Sequence, residues 1–427
     1  MSAYPQSTAR RALFRLSLNS FWLLIARVAG QALAILFTIF VARALGAGAF
    51  GSFAFISSIV FIGNVATTFG LDTLIIRDVA RQRDPADRVV QETMAPALFI
   101  QLALSFLFIL VVWIVGGRWV VQPGDETTAL RIAVVSLVPM AFSTVFSAAL
   151  RGHERMAAYM LFSIVVTAVS AFGALLLYRQ GGSLVSAAWV ILAAQLSGAI
   201  VAFALYQSHA SSGISRWRLS RRAIRRVWRG GLGLATLMVL AVLYQRLGII
   251  ALSMLDSDTA TGLYSAAARV MEALKMLPAA VFGALLPMMA AERAATDRPT
   301  YRHAVIALIG ISCLMALLCA LLARPLVYLL FGPEFSGAVP SLRVMCLSLP
   351  LTVLTFALSF NLVVRNQEKV AAIALALTLG VSVILTTLFI IRWSLIGAAV
   401  ALPISEVFQI VFLRLLSSKA GLSHPAG

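Results

Sequence analysis

Six charged side chains fall inside long apolar stretches of the sequence and away from their ends, where a charge is costly unless it has a partner. Four are cationic and two are acidic: Arg27, Arg246, Arg269, Lys275, Glu272 and Glu406. On insertion scales a charge at the centre of a membrane helix costs about 2.5–3.5 kcal/mol, so such groups usually face a cavity or a partner. Because the cations outnumber the acids, this set favours binding of an anion over binding of an organic cation.

The spacing of these residues predicts their depth and their local pairing. Arg246 lies shortly before the outer end of its apolar stretch and Arg269 shortly after the outer start of the next, so both are expected about 9–12 Å below the outer end. Arg269 and Lys275 each lie three residues from Glu272, which allows pairing within one helix. Arg27 and Arg246 have no acid within a turn on their own helices.

We therefore predict that the four cations bind substrate, with Arg27 and Arg246 as the strongest candidates. The alternative for the helix that carries Arg269 and Lys275 is internal neutralisation by Glu272. Glu272 and Glu406 are expected to act either as ion-coupling acids or as pairing acids.

Twelve apolar stretches carry these residues, and their length indicates membrane-spanning helices. The chain is 61% hydrophobic and only 12% charged, unlike a soluble domain. The stretches are too continuous for the alternating pattern of a barrel, so the expected fold is an all-α integral membrane protein. The predicted spans are 20–42, 49–71, 89–115, 130–150, 157–178, 184–206, 231–254, 263–290, 304–330, 342–364, 370–391 and 395–415.

The distribution of arginine predicts that both termini lie on the cytoplasmic side. Seven arginines fall between Arg216 and Arg229 in an inner segment. The outer loops hold single cations, which are Arg43, Arg118, Arg179, Arg324 and Arg392. This is the positive-inside bias, and it suits an anionic inner leaflet. The net charge of +18 is therefore attributed to membrane lipids as partners and not to nucleic acid.

The same basic segment predicts the division of the chain. Residues 1–206 would form an N-terminal lobe of helices 1–6, residues 207–230 a basic amphipathic cytoplasmic linker, and residues 231–427 a C-terminal lobe of helices 7–12 with a short tail. Trp217, Ile224 and Trp228 share one helical face. We expect a short helix that lies on the inner membrane surface.

Residues for metal binding or catalysis do not form a recognisable pattern. The three cysteines lie in apolar spans without a CxxC spacing, and no two histidines stand at ligand spacing. A P-loop lysine motif is also absent from the sequence. We therefore expect no metal, no cofactor and no catalytic residues, and a transporter in place of an enzyme.

Two groups of motifs, one in each half, carry a family resemblance. In the first half, ARALGAGAFG at 42–51 is followed by GLD at 70–72 and RDVAR at 77–81. In the second half, YQR at 244–246 is followed by GLYSAAAR at 262–269 and by Leu-Pro pairs at 277–278 and 286–287. Together they resemble the oligosaccharide flippases of the MOP superfamily. One departure is Gly248, where many relatives carry an acid.

The resemblance implies two six-helix lobes around a central cavity and a flippase function. Such proteins move an undecaprenyl-diphosphate-linked oligosaccharide from the inner to the outer leaflet of the bacterial inner membrane by alternating access. Their products are surface polysaccharides such as O-antigen, lipopolysaccharide or exopolysaccharide. A polysaccharide polymerase and glycosyltransferases are the expected protein partners. The four cations would hold the diphosphate, because the guanidinium fork forms paired bonds with phosphate.

Three other functions compete with this interpretation. A MATE-like multidrug exporter would need carboxylates for organic cations. A lipid II flippase usually carries further helices after the twelfth. A membrane glycan polymerase or ligase generally has a large outer loop, whereas the longest outer loops here hold only the polar turns Asp125-Glu126 and Asp256-Ser257-Asp258.

Overall fold

The protein is helical throughout the part that the computed structural model describes, which comprises residues 6–81, 90–119, 124–209, 219–290, 299–364 and 367–422. The α-helices are α1 Gln6–Thr68, α2 Leu71–Arg81, α3 Ala95–Trp119, α4 Asp125–Val135, α5 Leu137–Gly152, α6 Met156–Gln180, α7 Leu184–His209, α8 Arg221–Leu255, α9 Asp258–Ala290, α10 Pro299–Leu321, α11 Ala323–Leu330, α12 Ala338–Cys346, α13 Ser348–Val364 and α14 Glu368–Leu422. A π-helical turn at Val90–Met94 precedes α3, and a 3₁₀ turn at Pro333–Phe335 precedes α12.

Nine helical stretches among the described residues are long and apolar enough to cross a membrane. Large apolar side chains on their outer faces are exposed, as on α3, where the exposed residues are Phe106, Leu107, Leu110, Trp113 and Ile114. Such a surface is stable in lipid and costly in water. The protein is therefore an all-α, multi-pass membrane protein, as expected. The number of twelve spans stays a prediction.

Two of the longest helices contain a sharp kink where the sequence predicts a turn between spans. In α1 the kink falls at Gly46, whose φ of 70° is readily adopted only by glycine. In α14 it falls at Ser394, with a φ of 51°. The Ser394 hydroxyl donates a hydrogen bond to Asp256 in the α8–α9 turn. This bond ties the turn at Ser394 to a second turn of the chain.

The chain forms two compact units. The first comprises Met1–Ala44 and Ile59–Val239, and the second comprises Leu45–Ser58 and Leu240–Gly427. The sequence predicted a division along residues 207–230, with residues 45–58 in the N-terminal lobe. In the structure this short piece of α1 groups with the second unit, and α8 runs without interruption past the predicted boundary.

The first unit has its core where α2, α3, α5 and α7 meet. Buried residues from each helix contribute, including Leu71, Ile75, Ala97, Val145 and Ala202. Val227 and Ile224 of α8 pack against the same core, and Trp228 stacks on Phe69 with ring centroids 4.6 Å apart. This apolar face contacts protein in part, because Trp228 remains 38% exposed. That the segment lies on the inner membrane surface stays a prediction, and Trp217 lies outside the described residues.

Arg226 attaches the start of α8 to the π-helical turn. Its guanidinium donates to the Glu92 carboxylate at 2.9 Å and to the Glu92 carbonyl at 2.7 Å. It also lies 3.3 Å from the Thr93 hydroxyl, which in turn donates to Asp78. These bonds hold the basic segment against the first unit and leave its other arginines exposed, namely Arg221, Arg222, Arg225 and Arg229.

In the second unit, two glycines bring helices into backbone contact. A Cβ added to Gly51 would lie 2.7 Å from the Asp258 carbonyl carbon and 2.8 Å from the Gly262 nitrogen. A Cβ added to Gly262 would lie 3.0 Å from the Ala47 carbonyl carbon. The two segments that carried the resemblance, 42–51 and 262–269, therefore pack against each other at their glycines.

Candidate functional site

Three of the buried charges meet between α8 and α9 in the second unit. Arg246 of α8 forms an ion pair with the Glu272 carboxylate of α9 at 3.1 Å. Arg269, one turn earlier on α9, pairs with the other Glu272 oxygen at 2.9 Å. The sequence placed Arg246 and Arg269 at a similar depth, and both reach the same carboxylate. We call these three residues the arginine–glutamate cluster.

The cluster carries net positive charge, and its three residues differ in exposure. Two guanidinium groups share one carboxylate, so one positive charge is left over. The Arg246 side chain is 8% exposed, whereas those of Glu272 and Arg269 are 27% and 33% exposed. Arg246 is thus an interior group, and Arg269 and Glu272 form the accessible edge. An arginine pair of this kind binds anions with charge-assisted hydrogen bonds.

The Tyr264 side chain packs against Gly248, which lies two residues after Arg246. A Cβ added to Gly248 would lie 2.5 Å from the Tyr264 ring carbon that bears the hydroxyl. Tyr264 is 6% exposed, and it lies close enough to Glu272 for the carboxylate to act on it electrostatically. The Tyr264 side chain therefore occupies the space that a side chain at position 248 would need.

The remaining two predicted cations are Lys275 and Arg27. Lys275 lies one turn beyond Glu272 on α9 and is partly exposed, and within the described residues it makes no ion pair. Pairing of Glu272 with Arg269 is thus the i,i+3 contact that forms. Arg27 belongs to α1, but its side chain lies outside the described residues. Its part in substrate binding stays a prediction.

Glu406 occupies a separate, fully interior position in the second unit. It is 3% exposed and accepts hydrogen bonds from Thr355 at 3.0 Å and Thr352 at 3.3 Å, both on α13. The Tyr244 side chain of α8 lies beside it. One alternative from the sequence was that Glu406 pairs with a cation on another helix. Among the described residues its partners are hydroxyl groups.

We predict that this carboxyl group contributes to stability through its hydroxyl partners. Replacing Glu406 with leucine should lower the free energy of unfolding by about 1–3 kcal/mol, because the buried Thr355 hydroxyl loses its acceptor, whereas Thr352 still donates to the Ser348 carbonyl at 2.8 Å. Replacing it with glutamine should cost less, since the amide oxygen still accepts. Thermal unfolding in detergent measures both. Glu368→Leu, at the exposed start of the same helix, is the matched control. Equal losses for all three variants would contradict the prediction.

Sequence reasoning missed the residues that surround the charges. Tyr244, Tyr264, Thr352 and Thr355 are ordinary members of apolar spans, and their roles depend on which helices are neighbours. The signals were Tyr244 and Tyr264, which lie in the YQR and GLYSAAAR motifs. Within the described residues, no three histidine, cysteine or acidic side chains form a group that could hold a metal ion.

Solved structures with this architecture are transporters of the MOP superfamily. The lipid II flippase MurJ in an inward closed conformation has a TM-score of 0.76 at 14% identity, over 94% of this chain and 87% of that chain. An inward-facing multidrug resistance MATE transporter has a TM-score of 0.73 at 16% identity, over 94% and 100%. A MOP-superfamily transporter from Pyrococcus furiosus has a TM-score of 0.65 at 17% identity, over 97% and 96%. The fold is therefore that of the MOP superfamily.

The family within that class follows from the sequence. The polysaccharide biosynthesis protein family matches residues 16–293, which is more than half of the chain. The protein belongs to this family. Its matched region contains the arginine–glutamate cluster and the two glycines of the α1–α9 contact. No curated protein matches the chain.

Proposed function

We propose that the protein is a flippase for lipid-linked oligosaccharides in surface polysaccharide biosynthesis. It moves a glycan carried on undecaprenyl diphosphate from the inner to the outer leaflet of the bacterial inner membrane by alternating access. Both termini are then cytoplasmic. Membership of the polysaccharide biosynthesis family supports the glycan, and the likeness to a lipid II flippase supports a lipid-linked carrier.

The observation that carries this proposal is the excess of positive charge in the arginine–glutamate cluster. Arg246 and Arg269 share one carboxylate, and Lys275 adds a further positive charge one turn away. A diphosphate supplies localised negative charge that this excess can bind. Arg27 completes the proposed substrate-binding set. An organic cation would meet net repulsion here, which argues against multidrug export despite the similar fold of MATE transporters.

The proposal predicts that Arg269 is needed for transport. The protein is reconstituted in vesicles with a fluorescent undecaprenyl-diphosphate-linked sugar, and an added quencher reports the labelled fraction in the outer leaflet. Arg269→Gln should slow translocation about tenfold or more, since a charge-assisted bond contributes about 1.5–3 kcal/mol. Arg131→Gln, which removes an exposed arginine of α4, should leave the rate unchanged.

A second measurement distinguishes a polysaccharide flippase from a multidrug exporter. Deletion of the gene should alter surface polysaccharide and leave susceptibility to cationic drugs at the parental level. Equal translocation by wild type and Arg269→Gln, or drug sensitivity with normal polysaccharide, would contradict the proposed function.

A further inference from the structure

Glu272 binds both arginines of the cluster at the same time, each through a different oxygen. The Arg246 nitrogen lies 3.1 Å from one oxygen and the Arg269 nitrogen 2.9 Å from the other. One terminal nitrogen of each guanidinium, Nη1, is therefore already bonded to a carboxylate. A substrate anion that takes both prongs of the guanidinium fork competes with this internal ligand.

The two arginines differ in how readily they can be released. The Arg246 side chain is 8% exposed, and Arg269 and Glu272 are 33% and 27% exposed. An arriving anion therefore finds more exposed surface on Arg269 and Glu272 than on Arg246. Of the two ion pairs, the one between Arg269 and Glu272 is the pair that an anion can open. Glu272 would keep Arg246 as its partner, so no buried charge is left uncompensated.

We infer that Glu272 is an exchangeable internal ligand that competes with the diphosphate of the substrate for Arg269. Glu272 pairs with Arg269 in the empty site. The pair dissociates when the diphosphate binds and forms again when the diphosphate leaves. This inference rests on the proposed function and assigns Glu272 a role in affinity. Carboxylate and phosphate are interchangeable partners because the guanidinium fork fits both.

Competition of this kind makes substrate binding weaker and substrate release faster. A carrier needs both, since a ligand held too tightly is not passed on. Neutralising Glu272 should therefore have two opposite effects: tighter binding and slower turnover. A residue with a merely structural role would weaken binding and turnover together, so the two measurements distinguish the roles.

The experiment compares binding and transport in full-length protein. Farnesyl diphosphate and inorganic pyrophosphate are the probes, and titration calorimetry in detergent gives their dissociation constants. Glu272→Gln should bind farnesyl diphosphate about tenfold more tightly, because one charge-assisted competitor is lost. Its maximal translocation rate in vesicles should fall. Glu272→Asp keeps the charge and should retain most of the wild-type behaviour.

The double variant Arg246→Met, Glu272→Gln repeats the test without a buried charge. It removes the interior arginine together with its carboxylate, so it addresses the case in which Glu272→Gln does not fold. It leaves Arg269 without the competing carboxylate and should bind the diphosphate more tightly than Arg246→Met alone, in which Glu272 still pairs with Arg269. Tightening with both probes assigns the competition to the phosphate groups. Tightening with farnesyl diphosphate alone assigns it to a lipid-linked headgroup, and both results support the inference.

Unchanged or weaker binding by the folded variants would overturn the inference. If wild type binds farnesyl diphosphate and Arg269→Gln does not, while Glu272→Gln matches wild type, the inference fails and the proposed function stands. If wild type neither binds the diphosphate nor moves the labelled lipid, the proposed function fails and the inference fails with it.

Discussion

Replacing Gly262 with valine is expected to give a protein that no longer folds to a stable state in detergent. The glycine lies against main chain and not against a flexible side chain, because a Cβ there would come 3.0 Å from the Ala47 carbonyl carbon and 3.1 Å from the Gly51 nitrogen. Forcing extra atoms into a packed interior commonly costs about 1–3 kcal/mol, and here only movement of whole helices makes room. Size-exclusion chromatography and thermal unfolding measure the loss.

Two helical glycines in open space provide matched controls for this prediction. Nothing lies within 4 Å of a Cβ added to Gly310 of α10 or Gly380 of α14. Alanine at either position should leave the melting temperature unchanged or raise it, since alanine favours a helix by about 0.5–1 kcal/mol over glycine. Gly262→Ala should lower the melting temperature. If Gly262→Ala behaved like Gly310→Ala, the close backbone contact would not exist.

Removing the carboxylate of the arginine–glutamate cluster is expected to destabilise the protein more than removing its interior arginine. Glu272→Leu deletes the acid bonded to Arg246, which is 8% exposed, and breaking a buried pair in this way costs about 3–5 kcal/mol. Arg246→Leu leaves the pair between Glu272 and Arg269 intact, so it should cost less. Thermal unfolding of both variants in detergent gives the comparison.

The double variant Arg246→Leu, Glu272→Leu tests whether the two effects are coupled. It removes the charge and its counter-ion together, so it should be more stable than Glu272→Leu alone. Additive losses, or a smaller loss for Glu272→Leu than for Arg246→Leu, would mean that Glu272 is not the main counter-ion of Arg246.

Contacts within one helix could be predicted from the sequence, and contacts between helices could not. The i,i+3 spacing of Arg269 and Glu272 was enough to suggest their pair. Arg246 has no acid on its own helix, and its partner became visible only when α9 was placed beside α8. The sequence also could not choose between lipid and protein for the apolar face of the basic segment, because both accept Trp228 equally well. In the structure Ile224 packs against the core of the first unit, and Trp228 stacks on Phe69 while it remains 38% exposed.

The turns between spans could be predicted from the sequence more readily than the contacts between helices. Gly46 and Ser394 each fall between two apolar stretches that are too long to be one span, and the sequence therefore predicted an interruption there. The conformations found at both residues agree. The environment of Glu406 could be predicted only in part. Its burial followed from hydropathy, whereas the choice of Thr352 and Thr355 as partners depends on the register of α13 against α14, which hydropathy does not encode.

The tyrosine beside Gly248 constrains how this protein could evolve a different selectivity. A lineage that gained an acid at position 248 in one step would drive the new side chain into the Tyr264 ring. The acid becomes acceptable only if the Tyr264 side chain moves aside or position 264 takes a smaller residue. Laboratory selection for a new cargo should therefore vary positions 248 and 264 together.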